Sequence, residues 1–262
     1  MDKAEFAIIG GTGFEKLFEC LKQTSLTTPY GPVDSVFMLQ MSKRRVVFLS
    51  RHGLDHSIPP HRINYRANIY ALHRMGVEKV LATNAVGSIN HEFETGEIVF
   101  PSDFIDFTKS RQATFYDEAP VTHVDASQPY CPSIRRSLVE NARRLGLHFR
   151  ERAVMVCTEG PRYETSAEIE MFRRLGCDVV GMTGYPEVML ARELEMCYAS
   201  VCYVSNKAAG MQQRLTATEI ADTSERILPK IAELLTETIE SLPLTRRKNC
   251  PCANALENAR FK

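Results

Sequence analysis

The chain has 262 residues, 32 Lys+Arg against 32 Asp+Glu, and 44% hydrophobic residues. That length suits one large domain that buries its core without staples, and the apolar content excludes a disordered chain. The neutral balance argues against a nucleic-acid binder, and no apolar run approaches the roughly 18 residues of a membrane span.

Eight cysteines are present. Several, such as Cys157 and Cys202, sit in strand-like runs where cysteine acts as a small hydrophobe. No signal peptide precedes the first strand, so free thiols in a reducing cytoplasm are expected.

Phe6–Ile9 reads as a buried strand followed at once by Gly10-Gly11-Thr12-Gly13. Bare N–H groups in such a turn can approach an anion. Lys16 stands where a dinucleotide fingerprint needs glycine, and the Walker ending is missing. The turn suits one phosphate assisted by Thr12, or is a plain tight turn. Strands near Ser35–Gln40 and Arg45–Leu49 lead to Arg51-His52, whose donors suit one oxyanion, with a solvated strand end as the alternative. His52, His56 and His61 are not read as metal ligands, because Gly53, Pro59 and Pro60 forbid a helix there.

Asn64–Met75 has helical spacing. Val77–Thr83 is a strand ending in the small-residue turn Asn84-Ala85-Val86-Gly87-Ser88, and such turns gather at the carboxyl edge of an α/β sheet, where ligands bind. Two short strands flank Pro101. Thr108–Gln128, with Phe115, Tyr116 and His123, is an irregular loop long enough to be functional or to cover a neighbour. Pro132–Gly146 is an amphipathic helix and Arg152–Cys157 a strand.

The stretch Thr158–Glu187 then reads as loop, helix (about Thr165–Arg174), strand (Asp178–Val180) and loop. Its first loop carries Tyr163 and Glu164, its second Met182 and Thr183 between glycines. An aromatic face, a carboxylate, a thioether and a hydroxyl suit a flat heterocycle joined to a polar group, as in a nucleoside. A helix at Glu187–Met196 and an apolar strand at Tyr198–Val204 follow, ending at Ser205-Asn206-Lys207-Ala208. The last helix starts near Thr216 with a capping box to Glu219, and Pro229 is expected to kink it. The domain is placed at 1–242. Residues 243–262, with Cys250-Pro251-Cys252, read as a mobile tail whose exposed cysteine pair is taken as neither redox-active nor metal-binding.

GGTG, SRHG…H…PP, TNAVGS, TEGPRYET, GMTGYPE and VSNKAAG, in this order, resemble the trimeric purine nucleoside phosphorylase and methylthioadenosine phosphorylase family over about Phe6–Ile239. Within it, the 5′-methylthioinosine phosphorylases look nearest. The resemblance implies an α/β fold of one domain, a mixed central sheet flanked by helices, and a pentosyltransferase of purine salvage that uses inorganic phosphate as co-substrate and no other cofactor. It places phosphate at Thr12, Arg51, His52, Asn84, Ala85 and Thr183. It sets Met182 under the ribose, Tyr163 against the purine, and His56 near the sugar's 5′ end. It also implies a homotrimer in which His123 is lent to the neighbouring subunit.

Family members that cleave 6-aminopurines carry aspartates where this chain has Asn206-Lys207-Ala208. Those that cleave 6-oxopurines resemble this chain in having asparagine there and glutamate at the Glu164 position. The chemistry agrees: the Asn206 amide can donate to O6 or N7, and an ionised Glu164 can accept from the N1–H that adenine lacks. At the 5′ end, Leu215, Ala217 and Ile220 offer an apolar wall for a methylthio group, or simply begin the last helix. Methylthioinosine is therefore the expected substrate, with inosine/guanosine the first alternative and methylthioadenosine behind it. A catalytically silent nucleotide-binding module and a protein-interaction scaffold are the readings from other classes.

Overall fold

The structure, a computed structural model, describes residues 3–11, 14–213, 216–246 and 250–260. Thr12 and Leu215 lie outside the described residues, as does the side chain of Ala217.

The apolar runs become a mixed sheet with helices on both faces. Strand β1 (Phe6–Gly10) is buried throughout and runs parallel to β4 (Arg44–Ser50) on one side and β5 (Lys79–Ser88) on the other. Both its faces are apolar because both are covered. Phe6 and Ile8 join the core under α2 (Pro132–Arg144) and α5 (Ala217–Ser241). Ala7 and Ile9 join the opposite core, which contains α1 (Tyr65–Arg74) and α4 (Glu187–Glu193). Each such large apolar side chain contributes roughly 1.5–3 kcal/mol on burial. Beyond β4, β2 (Glu19–Thr28) and β3 (Gly31–Met41) extend the sheet as an antiparallel ribbon. On the other flank β10 (Val179–Gly181), β9 (Val154–Thr158) and β7 (Asp103–Phe107) run parallel to one another. Strand β11 (Cys197–Lys207) lies parallel to β5 along its whole length.

Strand β5 changes partner midway. From Lys79 to Ala82 it lies beside β1, and at Gly87 and Ser88 it lies antiparallel to β10. Between them, Thr83–Val86 has β11 alone beside it, so the sheet forks there. A fork of this kind opens a crevice at strand ends, where α/β proteins hold ligands.

Two local expectations change, and one strand, β2, is unexpected. Asn84–Ser88 is not a turn but the distal half of β5, held in strand form by β11 and β10. β2 shows no clear apolar alternation, since most of its residues are exposed, and backbone pairing to β3 makes it a strand. Residues 250–260 lie against the body rather than hanging free: Cys250, Cys252, Ala255 and Ala259 are buried. Helix α5 continues through Pro229, with Thr216 capping it through Glu219 N–H at 3.2 Å.

Helix α3 (Ser166–Arg174) carries a full capping box between Thr165 and Glu168. Its first residue fixes the loop after β11. Gly210 has φ +80°, and a Cβ there would sit 2.5 Å from Ser166 Oγ and 2.7 Å from Ser166 Cβ. Both the left-handed backbone and the close approach require glycine. Gly210→Ala should cost about 1–3 kcal/mol in urea unfolding, the usual penalty of overpacking added to backbone strain. No loss of stability would contradict this packing.

Candidate functional site

The fork opens into a cavity of about 740 Å³. It gathers strand ends that lie far apart in sequence: Arg51 and His52 after β4, Asn84 and Ala85 in β5, Met182 and Thr183 after β10, and Asn206 in β11. Tyr163, Glu164, Ala208, His56 and Ile220 line the same cavity.

Arg51 supplies the cation of this lining. The guanidinium is buried and bonds bidentately to Glu187, Nε to Oε1 at 2.5 Å and Nη2 to Oε2 at 2.9 Å. Its Nη1 donates to the carbonyl of Thr83 at 2.9 Å, at the first residue of the fork. Tyr198 donates to the same carboxylate at 2.9 Å. Burial alone would lower the Arg51 pKa, but the Glu187 carboxylate more than reverses this and the group stays cationic. Three of five N–H groups are spent, leaving two without a partner among the described residues. Glu187 is absent from the sequence-based site. It sits on the first turn of α4 and is wholly buried, which only the fold reveals.

Beside it, His52 stacks on His56 with ring centroids 4.4 Å apart. His52 Nδ1 lies 2.8 Å from the Ile58 carbonyl, which fixes the proton on Nδ1 and leaves Nε2 as an acceptor. Burial, then the charge on Arg51, pushes its pKa down to about 4. Across the fork, Thr183 Oγ1 donates to Asn84 Oδ1 at 2.8 Å, and Asn84 Nδ2 donates to Ser200 Oγ, tying β5 to β11 and to the loop after β10.

At the other pole, the register of β11 shifts between Val204 and Asn206, so Ser205 is a bulge. A bulge re-aims the following side chain. Asn206 is buried, accepts from Ser205 Oγ at 2.6 Å and donates to Lys207 O at 2.8 Å. Its amide lies against Gly87, where a Cβ would be 3.3 Å from Nδ2. Glu164 accepts from Thr158 Oγ1 at 2.6 Å. Tyr163 and Glu164 thus stand on a loop anchored to the end of β9.

Helix α5 closes one side with Ile220, Ala221, Ser224, Glu225 and Leu228, and Phe14 and Tyr203 add aromatic surface. Tyr203 Oη and Ser224 Oγ are 2.9 Å apart. The wall is wider than the Ile220 position alone and not purely apolar. His123 is not among the residues lining its own chain's cavity. It is exposed on the irregular loop, with its backbone N–H on the Ala259 carbonyl at 2.8 Å. Arg111, from that loop, was not singled out either. Its buried guanidinium donates to the carbonyls of Thr158 and Glu159 at 3.0 Å each, to Tyr185 O, and to Tyr65 Oη at 3.1 Å. It pins both ligand loops to one framework.

One cavity is thus lined by a buried cation and by polar and aromatic side chains from strands far apart in sequence. The chain belongs to the phosphorylase superfamily, whose family model matches residues 5–240. It is 52% identical over 257 residues to the probable S-methyl-5′-thioinosine phosphorylase of Methanopyrus kandleri, covering 97% of this chain and 98% of that protein. It is 49% identical over 262 residues to the 6-oxopurine nucleoside phosphorylase of Pyrococcus furiosus, with 97% and 98% covered. Its fold matches the methylthioadenosine phosphorylase of Schistosoma mansoni in complex with tubercidin at a TM-score of 0.91 and 29% identity, over 98% of this chain and 99% of that one. A methylthioadenosine phosphorylase sourced from an antarctic soil metagenomic library matches at 0.92 and 29%, over 100% and 93%.

Glu187→Ala leaves a buried cation without its partner and should cost about 3–5 kcal/mol in urea unfolding; a loss under 1 kcal/mol would refute the pairing. His52 gives a pH signature. With its folded pKa near 4 and an ordinary value of 6.5, the unfolded chain takes up a proton that the folded chain refuses. Its contribution is intact above about pH 6.5 and is lost as pH falls towards 4. Between about pH 7.5 and pH 5 the wild type should lose roughly 2 kcal/mol more stability than His52→Gln. Parallel curves for the two would place the titration elsewhere.

Proposed function

We propose that the chain catalyses phosphorolysis of a 6-oxopurine nucleoside, with S-methyl-5′-thioinosine as substrate, releasing hypoxanthine and 5-methylthioribose 1-phosphate. The observation that carries this reading is the buried, Glu187-clamped Arg51, which lines the same cavity as Asn206 and Glu164 and keeps two N–H groups without a partner among the described residues.

In this mechanism Arg51, Asn84, Ala85 and Thr183 hold phosphate, with Thr12 assisting from outside the described residues. The Nε2 of neutral His52 accepts from the P–OH of hydrogen phosphate. A phosphate oxygen attacks C1′ as the C1′–N9 bond breaks, and the bonding pair leaves with the purine. The sugar acquires oxocarbenium character, which the adjacent phosphate dianion stabilises electrostatically. Asn206 donates to the leaving base at O6 or N7, where negative charge builds up, and Glu164 accepts from N1–H. The proton that hydrogen phosphate gives up as the sugar phosphate dianion forms balances the one that the departing base takes from water at an imidazole nitrogen, giving neutral hypoxanthine. No covalent nucleophile is needed. Met182 lies under the ribose, Tyr163 and Ala208 border the purine, and His56 stands near the 5′ end.

A site built to hydrogen-bond N1–H rejects a base lacking it by factors on the order of 10⁴. The 5′ group meets Phe14, Ile220 and Leu228, and this supports methylthio over hydroxyl. Ser224 and Glu225 on the same wall support the second reading, an inosine/guanosine phosphorylase. We place the working unit as a homotrimer in a cytoplasmic setting, with exposed His123 reaching a neighbour's site. Inorganic phosphate is the only further reactant this chemistry needs.

Initial rates on methylthioinosine, inosine and methylthioadenosine, each with and without phosphate, test the reading. Hypoxanthine should form only with phosphate, fastest from methylthioinosine, and Arg51→Ala should lower kcat/KM by about 10²-fold or more. Methylthioadenosine as the best substrate would sink the assignment of Asn206 and Glu164.

A further inference from the structure

Away from the cavity, Cys131, Cys197, Cys250 and Cys252 converge, all buried, with their Sγ atoms all within 4.8 Å of one another. The last two belong to the pair that sequence reading leaves exposed and without metal; the fold buries both and brings two more thiols to them.

The three segments are independently pinned. Cys131 precedes the first turn of α2, and its N–H donates to Tyr198 O at 2.8 Å. Cys197 opens β11, and its N–H donates to Glu78 O at 2.8 Å. Cys250 and Cys252 lie on a turn closed by Ala253 N–H to Cys250 O at 3.0 Å. Apolar packing would account for buried cysteines but does not require four sulfurs to meet. All eight cysteines are free, and Cys197 and Cys250 Sγ atoms lie 3.5 Å apart, far beyond a disulfide's roughly 2.05 Å. Four thiolates around a zinc ion at about 2.3 Å form a tetrahedron with edges of roughly 3.8 Å, inside the 4.8 Å that bounds all these Sγ–Sγ distances and close to the 3.5 Å of Cys197 and Cys250.

The surroundings suit such an ion. Four thiolates and Zn²⁺ carry a net charge of minus two, and buried Lys79 is the register partner of Cys197 on β5. Its ammonium donates to Leu244 O at 2.6 Å. With four protein donors and no open position, the site is of the structural kind; soft sulfur donors exclude magnesium and calcium.

We propose that Cys131, Cys197, Cys250 and Cys252 form a structural Zn²⁺ site that fastens residues 250–260 to α2 and β11. The fastened segment underlies the irregular loop: Ala259 O accepts from His123 N–H, and Arg260 forms a bridge with Thr122. The metal therefore braces the loop on which His123 stands. This inference does not rest on the proposed reaction.

The test uses the full chain, expressed with added zinc and purified with a reductant, and reads metal content by inductively coupled plasma mass spectrometry. About one zinc per chain is expected. Refolding with Co²⁺ should give the charge-transfer and d–d bands of a tetrahedral tetrathiolate centre. Cys131→Ser and Cys252→Ser should each lose both signals and lower Tm. Should the variants not fold, the cobalt spectrum of the wild-type chain decides alone. Metal-free wild-type protein, iron in place of zinc, zinc retained by either variant, or recovery of the four cysteines as two disulfides from a parallel preparation without reductant would each overturn the proposal.

Discussion

A charge that must stay buried governs this structure. Arg51 is wholly withdrawn from water, and an unpaired guanidinium in that position would cost several kcal/mol. Glu187 supplies the counter-charge in fork-to-fork geometry, Tyr198 orders the carboxylate, and Thr83 O takes a further N–H. These partners come from α4, β11 and β5, so the strand ends around the cavity are held in place by satisfying one cation. The residue that carries this cation also lines the cavity. The same arrangement that satisfies the burial requirement therefore fixes a cation in the cavity wall, which on the proposed reaction is where phosphate is held.

The fork in the sheet gives this clamp its location. Strand β5 keeps β11 throughout but exchanges β1 for β10, leaving Thr83–Val86 with a single neighbour. Backbone and side chains there turn to ligand-type contacts: Arg51 takes the Thr83 carbonyl and Thr183 takes Asn84 Oδ1. Arg111 performs the complementary task from outside, drawing the carbonyls of both ligand loops onto one guanidinium.

Much of this was legible in the chain. Continuous apolar runs announced β1 and β11, and Arg51, His52, Thr183 and Asn206 stand out as polar residues close to the ends of those buried runs. Other parts were not legible, for physical reasons. β2 is held by backbone pairing that leaves no side-chain period. Asn84–Ser88 looks like a turn because its residues are small, yet small residues also suit a strand pressed by Val180 and Asn206. Glu187 and Arg111 are ordinary charges in sequence and become significant only once burial is known. The four-cysteine cluster joins positions up to 121 residues apart, and no local pattern encodes that meeting.

The two poles of the cavity differ in how sharply they can discriminate on the proposed reaction. At the base pole, the bulge at Ser205 and the bond from Thr158 fix the Asn206 amide and the Glu164 carboxylate in place. A base that cannot pair with them leaves buried polar groups unsatisfied, which is the costliest kind of mismatch. At the 5′ pole, the hydrocarbon of Ile220 and Leu228 stands beside the polar Ser224 and Glu225, so either 5′ group finds a partner and the difference against hydrocarbon alone is only about 1–3 kcal/mol. Selection for the base should thus be strict while selection at the 5′ end stays shallow. A few substitutions along the first turns of α5 would suffice to move such a scaffold between methylthio and hydroxyl nucleosides while leaving its purine preference untouched.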